Sequence, residues 1–286
     1  MIDRAAHEGD ALEVLELLYS YSMDSFVAWQ FGGSLSSNLI EDEQERRLYL
    51  DGFFAAAPYT FWQYRFPLLN SLFKAVGLIP KKVDSGFNDI LRWNLEKCDK
   101  AQELLAQGEE KLSPENKPVV MALALQAMSD PEARPGKYPQ RLEIASDMFA
   151  HNSAAHETSG NTLTYCMYEL SKHPEIQSKL RRELLTLDPP LIYPPKEGLD
   201  NLVLPTAKSI DNLPYLEAVI METLRFGGRM CIGSNFAWFS MKNVIGTVYT
   251  NFTTTIHHAG DMTLQDAYLA GPTGHHLELK FHAMKR

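Results

Sequence analysis

The sequence predicts a mainly helical protein that ends in a small β-hairpin. Apolar residues recur at helical spacing over 141–173, the longest such stretch in the chain. Near the C-terminus, Leu277, Leu279 and Phe281 alternate with polar residues, which is the spacing of a half-buried strand. The chain has 286 residues, enough for one large domain with a sizeable core, and we expect a single domain over 1–286.

The predicted elements follow one another in a regular order. Apolar spacing and capping residues predict helices over 10–30, 42–57, 81–107, 116–128, 141–173, 174–187, 214–225 and 234–252. Prolines and glycines predict loops over 129–139 and 188–208. The last two segments, 262–268 and 276–282, flank a turn rich in glycine and are predicted to form the hairpin.

The segment 58–78 is aromatic and apolar, and three interpretations stay open for it. Its large side chains include Phe61, Trp62, Tyr64, Phe66 and Phe73. They would pack in the core, surround the mouth of a hydrophobic substrate pocket, or dip into a membrane surface.

Composition excludes several classes of protein. The net charge of −9 argues against a nucleic-acid partner, because such binding depends on clustered Lys and Arg. Three scattered cysteines are too few for a disulfide framework or a zinc knuckle. The longest apolar run near a helix, 119–125, is far short of a bilayer span, and charged residues directly after Met1 argue against a secretory signal.

One cysteine lies in a glycine-rich loop directly before a predicted helix. The loop sequence is Phe226-Gly227-Gly228-Arg229-Met230-Cys231-Ile232-Gly233. Unpaired N–H groups and the dipole at a helix start favour a thiolate, which is the form that binds metal. The glycines would let backbone and sulfur approach a large flat ligand, and Arg229 would pair with an anionic group on it. The alternative is a buried free cysteine beside a turn.

Two further motifs lie upstream of this loop. The long helix contains Ala154-Ala155-His156-Glu157-Thr158-Ser159, where a threonine hydroxyl can bond back to a carbonyl one turn earlier and loosen the helix. Alone, the motif is better explained as a polar patch on a helix. The next motif is Glu222-Thr223-Leu224-Arg225, whose charged ends share one helix face and can pair.

Together the three motifs resemble the cytochromes P-450, the haem-thiolate monooxygenases, and occur in that family's order. The family's loop pattern is Phe-x-x-Gly-x-Arg-x-Cys-x-Gly, which Gly227, Arg229, Cys231 and Gly233 match. The helix that carries Glu222 and Arg225 also matches in its preceding residues. The resemblance extends over 1–286 and implies an incomplete P-450-like helical fold. Helices and substrate-side loops would occupy 1–140, the oxygen-binding helix to the Glu-x-x-Arg helix 141–225, and the haem loop, its helix and the hairpin 226–286.

The resemblance also implies roles for individual residues. Cys231 would be the iron ligand of haem b, with Gly227, Arg229, Gly233 and Ala155 contacting the haem. Glu157 would lead protons to the iron-bound oxygen and Thr158 would steady it. Glu222 and Arg225 would belong to a buried network behind the cysteine loop. Electrons would come from NADPH through NADPH-cytochrome reductase, and dioxygen and a small apolar organic molecule would be the substrates.

The sequence departs from the family in two places. Leu224 stands where the loop pattern has Phe, and only five residues separate Arg225 from Cys231, where family members carry a long insert. That insert supplies the third member of the Glu-x-x-Arg network and one wall of the substrate pocket. The family's membrane anchor and first strands would also lie upstream of Met1. We therefore expect a full-length member on the cytosolic face of the endoplasmic reticulum, and this chain to be soluble or peripheral.

Three functional hypotheses follow. The first is a haem-dependent monooxygenase that inserts one atom of dioxygen into an apolar substrate, with doubtful activity in this shortened form. The second is a non-catalytic remnant with or without haem. The third is a helical interaction protein that kept the sequence without the chemistry.

Overall fold

The computed structural model describes residues 1–129, 138–193, 203–225, 233–265 and 270–284. These residues form two compact units. One consists of Met1–Ser22 and His156–Arg286, and the other of Met23–Ala155.

Helices make up most of the described residues. They are α1 (Ile2–Glu8), α2 (Val14–Phe31), α3 (Glu43–Arg46), α4 (Gly52–Arg65), α5 (Pro67–Ala75), α6 (Lys81–Ala106), α7 (Val119–Met128), α8 (Gln140–Lys172), α9 (Pro174–Leu184), α10 (Ala207–Asp211), α11 (Pro214–Leu224) and α12 (Ser234–Asn251). The strands are β1 (Ala11–Glu13), β2 (Phe252–Ala259) and β3 (Leu277–Ala283). The mainly helical class with a small antiparallel sheet is confirmed.

The predicted long helices are confirmed nearly to the residue. The stretches 81–107, 141–173 and 214–225 correspond to α6, α8 and α11, whose bounds differ by at most one residue at either end. Two of the three have clear start or stop signals: a proline begins α11, and a proline follows the residue after α8. The predicted loops at 129–139 and 188–208 fall partly outside the described residues.

The core of the first unit lies between helices and one face of the sheet. Fully buried side chains come from α8, α9, α11 and α12, among them Leu163, Leu180, Leu216 and Ile245. Leu277, Leu279 and Phe281 of β3 are buried in the same cluster. Burying one such side chain contributes about 1.5–3 kcal/mol, so this shared cluster determines how the sheet packs on the helices.

The sheet has three antiparallel strands in the order β1-β3-β2. The second strand of the hairpin was predicted correctly, but the first was placed at 262–268 and is wrong. β2 instead follows α12 directly, and Phe252 and Thr254 alternate as buried residues along it. Of the predicted segment, Leu264 makes an isolated bridge with Pro272, and 266–269 lie outside the described residues.

The first predicted helix begins later than its apolar pattern suggests. Residues 11–13 form β1, which pairs with β3 through Leu12 and Leu279. The carboxylate of Glu13 then accepts the backbone N–H groups of Leu15 and Glu16, at 3.2 and 2.8 Å. Glu13 thus satisfies donors at the start of α2, so that helix begins at Val14 rather than at Asp10.

The second unit depends on a close helix crossing. A Cβ built on Gly86 of α6 would lie 3.1 Å from the Cα of Gly52 in α4, so the two glycines allow the backbones to approach. The helix predicted over 42–57 is capped by Asp42, whose carboxylate accepts the N–H groups of Gln44 and Glu45, but a π-helical turn at Arg47–Asp51 interrupts it. It then continues past Pro58 to Arg65 as α4.

Side-chain amides hold the first part of α8 in this second unit. The Asn94 amide of α6 donates to the carbonyl of Ala145 at 2.7 Å, and Gln30 of α2 donates to that of Met148 at 3.1 Å. All four residues are buried, and hydrogen bonds to buried backbone groups are costly to lose. These bonds fix the N-terminal half of the helix that carries the candidate site.

Gly160 of α8 is predicted to be essential for packing. An added Cβ would lie 2.3 Å from Cδ1 and 3.1 Å from the backbone N of Tyr19, a buried residue of α2. We expect Gly160→Ala to lower the free energy of unfolding by about 1–2 kcal/mol, because overpacking outweighs the gain in helix propensity. Urea unfolding measures the change.

The matched control is Gly246→Ala in α12. There the new Cβ would meet only the ends of two leucine side chains, at 3.0 Å for Leu191 and 3.5 Å for Leu184. These ends can shift, so the control should lose little or gain stability. Equal effects of the two substitutions would contradict the close approach of Tyr19 to α8.

Candidate functional site

The predicted oxygen-helix motif lies in the middle of α8. His156 is fully buried, and with Gly160, Leu163 and Met167 it belongs to the buried face of the helix. Each following residue is rotated by about 100° around the helix axis. As a result Glu157 is half-buried and Thr158 is exposed. His156 is therefore a packed core residue.

The helix is not opened at Thr158. Residues Gln140–Lys172 form one continuous α-helix. The carbonyl of Thr158 accepts the hydroxyl of Thr162 at 2.9 Å, and the carbonyl of Gly160 accepts that of Thr164 at 2.8 Å. Threonine hydroxyls thus bond back to carbonyls one turn earlier in this part of α8, and the helical path is kept.

Tyr19 is the neighbour of the motif that the sequence analysis missed. Its hydroxyl donates to Oδ1 of Asn161 at 2.6 Å, and its ring lies edge-on to His156 with centroids 6.3 Å apart. Burial raises the pKa of Tyr19, and the nearby charge of Glu157 raises it further. A glycine in the middle of a long helix, Gly160, was the sequence signal that a bulky side chain packs there.

Glu157 is the titratable group of the motif. Burial raises the pKa of its carboxyl group above the ordinary range of glutamate. A raised pKa lets a carboxyl group hold a proton closer to neutral pH, which suits a group that passes protons. Thr158, the next residue, is exposed on the adjoining part of the helix surface.

The charged pair of α11 is present but lies at the surface. Nη1 of Arg225 is 3.0 and 2.9 Å from the two carboxylate oxygens of Glu222. The side chains are 76% and 64% exposed. These two residues therefore form an exposed ion pair and not the buried network that the family resemblance implies. An exposed pair of this spacing contributes about 0.3–0.5 kcal/mol.

The cysteine loop falls outside the described residues for Gly227, Arg229 and Cys231. Gly233 is described and lies directly before α12 with a φ of −83°, so its backbone conformation does not itself require glycine. The helix predicted after the loop is confirmed and begins at Ser234. Cys231 therefore precedes the start of α12 by three residues in the sequence. Its function as an iron ligand stays a prediction.

The other two cysteines are unsuited to bind metal. Cys98 in α6 and Cys166 in α8 are both buried. Burial raises the pKa of Cys98 to about 12 and that of Cys166 to about 11. Both are therefore thiols rather than thiolates at neutral pH, as expected of structural cysteines.

The aromatic segment 58–78 is largely exposed. Leu68 is 88% exposed and Tyr64 is 70% exposed, and further apolar side chains around them are also in contact with water: Phe61, Phe66, Leu69, Leu72, Val76 and Leu78. Core packing is therefore wrong for most of the segment, although Trp62 and Phe73 pack against each other with centroids 5.6 Å apart. The pocket-mouth and membrane-surface interpretations both remain. Within the described ranges, no helix combines the length and apolar composition that a membrane crossing requires.

Comparison with known proteins identifies the family. The cytochrome P450 family model matches residues 1–227, well over half of the chain. The chain belongs to the cytochrome P450 family. The matched range of this P450 chain includes the Glu157–Thr158 motif and the Glu222–Arg225 pair, but it ends four residues before Cys231.

Several cytochromes P450 are similar to this chain. Cytochrome P450 3A12 from Canis lupus familiaris is 27% identical over 232 residues, which cover 78% of this chain and 41% of that protein. Cytochrome P450 3A7 from Homo sapiens is 25% identical over 226 residues, with the same coverage of both chains. Cytochrome P450 3A6 from Oryctolagus cuniculus is 27% identical over 230 residues, covering 77% and 40%. The matched part of this P450 chain thus spans about 41% of the first relative's length.

Two neighbouring side chains of α8 have the chemistry that we expect on one face of a haem site. On α8, the exposed Thr158 follows Glu157, whose carboxyl group has a raised pKa, and the small residue Ala155 precedes them. Such a donor set suits proton movement at the edge of a bound haem. The proposed iron ligand lies outside the described residues, so the fit concerns α8 alone.

The pKa of Glu157 predicts how stability depends on pH. The folded chain holds this proton at pH values where the unfolded chain has released it, so folding is favoured below the ordinary glutamate range. That contribution is lost as pH rises through the raised folded pKa. Glu157→Gln, which stays neutral, should therefore gain stability over the wild type across this window and keep the gain at neutral pH.

Urea unfolding at a series of pH values measures this difference. Glu103→Gln is the control, because Glu103 is an exposed residue in the last turn of α6. Its stability curve should run parallel to that of the wild type. If Glu157→Gln also ran parallel, Glu157 would not be desolvated in the folded chain.

Proposed function

We propose that this chain is a haem-dependent monooxygenase by descent, which inserts one oxygen atom from dioxygen into an apolar organic substrate. The observation that carries the proposal is the P450 family match over 1–227. It is supported by the order of three motifs, since the Glu157–Thr158 motif, the Glu222–Arg225 pair and the cysteine loop follow one another as in that family. Haem-thiolate chemistry belongs to the family in general.

The cysteine loop would hold the haem. Cys231 would ligate the iron, Arg229 would pair with an anionic haem group, and Gly227 and Gly233 would leave space for the flat ring. Ala155 of α8 would face the opposite side of the ring with little bulk. Haem, when bound, supplies the iron at which dioxygen is activated.

Glu157 and Thr158 would move protons toward that face. The raised pKa of Glu157 makes its carboxyl group a better proton carrier near neutral pH than an exposed glutamate. Thr158 is exposed, and its hydroxyl would take part in a hydrogen bond at the next position of the path. Electrons would come from NADPH through a reductase, as the family resemblance implies.

Replacement of Cys231 tests the ligand assignment. We expect Cys231→Ala to abolish the thiolate-type Soret band of the reduced, carbon-monoxide-treated chain, because the substitution removes the axial sulfur. Cys98→Ala is the matched control. Its thiol is buried, and burial raises its pKa to about 12, so the band should persist.

The outcome separates the hypotheses. A thiolate-type band that survives Cys231→Ala would overturn the assignment of the ligand. Haem binding with a shifted band in the unmodified chain would favour the non-catalytic remnant. No haem uptake would favour a helical interaction protein.

A non-catalytic remnant is the second candidate, and two observations favour it. The Glu222–Arg225 pair is exposed rather than buried, so it gives the haem loop little support. Only five residues lie between Arg225 and Cys231, where family members carry a long insert. In family members the insert would cover one face of the haem. Without it, that face would be open to water.

Inserting a segment of family length between Arg225 and Gly227 tests whether the short spacing limits haem binding and monooxygenase activity. We expect the chain as written to bind haem weakly and to be nearly inactive with a reductase, and the lengthened chain to bind haem more tightly. Haem content per chain and product formation are the measurements. Stoichiometric haem and equal hydroxylation in the short form would mean that the short spacing is benign.

A further inference from the structure

A cluster of imidazole and carboxylate groups lies on the polar face of the sheet. His258, His276 and Glu278 each offer one donor atom, and these atoms all lie within 4.8 Å of one another. Glu278 pairs with His258 across the β3–β2 ladder, and His276 stands two residues before Glu278, on the same face. Leu277 and Leu279 point to the opposite face and are fully buried.

A β-bulge brings His258 to this face. In the regular ladder Ile256 pairs with Leu279, so residue 257 would oppose Glu278 and residue 258 would turn toward the core. The register instead shifts between Ile256 and His258, and His258 pairs with Glu278. The extra residue, His257, lies with Nε2 3.9 Å from a carboxylate oxygen of Glu278. Bulges commonly re-aim a side chain in this way.

His276 lies between two carboxylates. Its Nε2 is 3.5 Å from Oε1 of Glu278, and its Nδ1 is 3.9 Å from Oε1 of Glu13. Glu13 is held in place, because the same oxygen accepts the N–H of Leu277 at 3.2 Å. A carboxylate behind one nitrogen of a histidine orients the ring and strengthens the other nitrogen as a metal ligand.

The charges of the sheet also favour a cation here. Glu13 and Glu278 are direct partners in the β1–β3 ladder, and like charges opposite each other destabilise a sheet. A divalent ion bound to Glu278 would offset this repulsion. Imidazole nitrogens with a carboxylate oxygen are ligands that Zn²⁺ accepts, usually with water in a fourth position.

We propose that His258, His276 and Glu278 bind Zn²⁺ on this sheet, with Glu13 orienting His276. Zinc–nitrogen bonds of about 2.0–2.1 Å put the donors of a tetrahedral site about 3.4 Å apart. The side chains therefore need to close by little, and all three are at least partly exposed and can rotate. The ion would link β2 to β3, and none of its ligands belongs to the three P450 motifs.

Calorimetric titration of the untagged full chain with Zn²⁺ tests the site. We expect saturable binding of one ion per chain, which Glu278→Gln and His276→Gln each weaken by about 100-fold. Glu13→Gln should weaken it by about tenfold, since it removes an orienting charge rather than a ligand. His282→Gln is the matched control. His282 is exposed on β3, and its ring bonds the hydroxyl of Thr255 at 2.9 Å, so its loss should leave the affinity unchanged.

A second measurement separates these ligands from the cysteines. The Co²⁺-loaded chain should show d–d absorption bands without the charge-transfer band that a thiolate ligand adds. Circular dichroism checks that the variants stay folded. Indistinguishable Zn²⁺ affinity in wild type, Glu278→Gln and His276→Gln would overturn the proposal, as would a failure to bind or a thiolate band in the cobalt spectrum.

Discussion

The close approach of Tyr19 to Gly160 is the contact on which the candidate site depends. It is possible only because Gly160 has no Cβ, and the Tyr19 hydroxyl then bonds to the neighbouring Asn161. This contact fixes which face of α8 is buried in the first unit. Since helical residues follow one another at about 100°, fixing His156 in the core also fixes Glu157 as half-buried and Thr158 as exposed. The chemistry proposed for these two residues follows from that rotation.

Electrostatics distinguish the two charged motifs of the chain. Glu157 is partly desolvated and its pKa is raised, which is typical of groups that work near neutral pH. Glu222 and Arg225 are solvated and paired with each other, which makes them a weak surface ion pair. The family's order of motifs is therefore kept in the sequence, while the environment of the second motif differs from the buried network of the family. That difference is the physical basis of the second candidate function, a non-catalytic remnant.

The sheet shows how distant segments settle a local ambiguity. Residues 11–13 have a helical pattern and residues 252–259 follow a helix without a break, yet both are strands. In each case the partner is β3, whose apolar side chains are buried among the helices. Pairing with a strand already held in the core outweighs local propensity, because each unpaired backbone group in a buried position is costly. The same pairing brings together the imidazole and carboxylate groups of the polar face.

Local sequence determined most of the helices and the family. Apolar spacing with proline and capping signals located α6, α8 and α11 to within one residue at either end, and residue order alone carried the three motifs. These features depend on residues a few positions apart, which is the range over which helical hydrogen bonds and caps act. Only the tertiary structure decided the exposure of Arg225, the desolvation of Glu157 by its surroundings, and the bulge that turns His258 to the polar face. Burial and strand register are set by residues far apart in the chain, so no local pattern contains them.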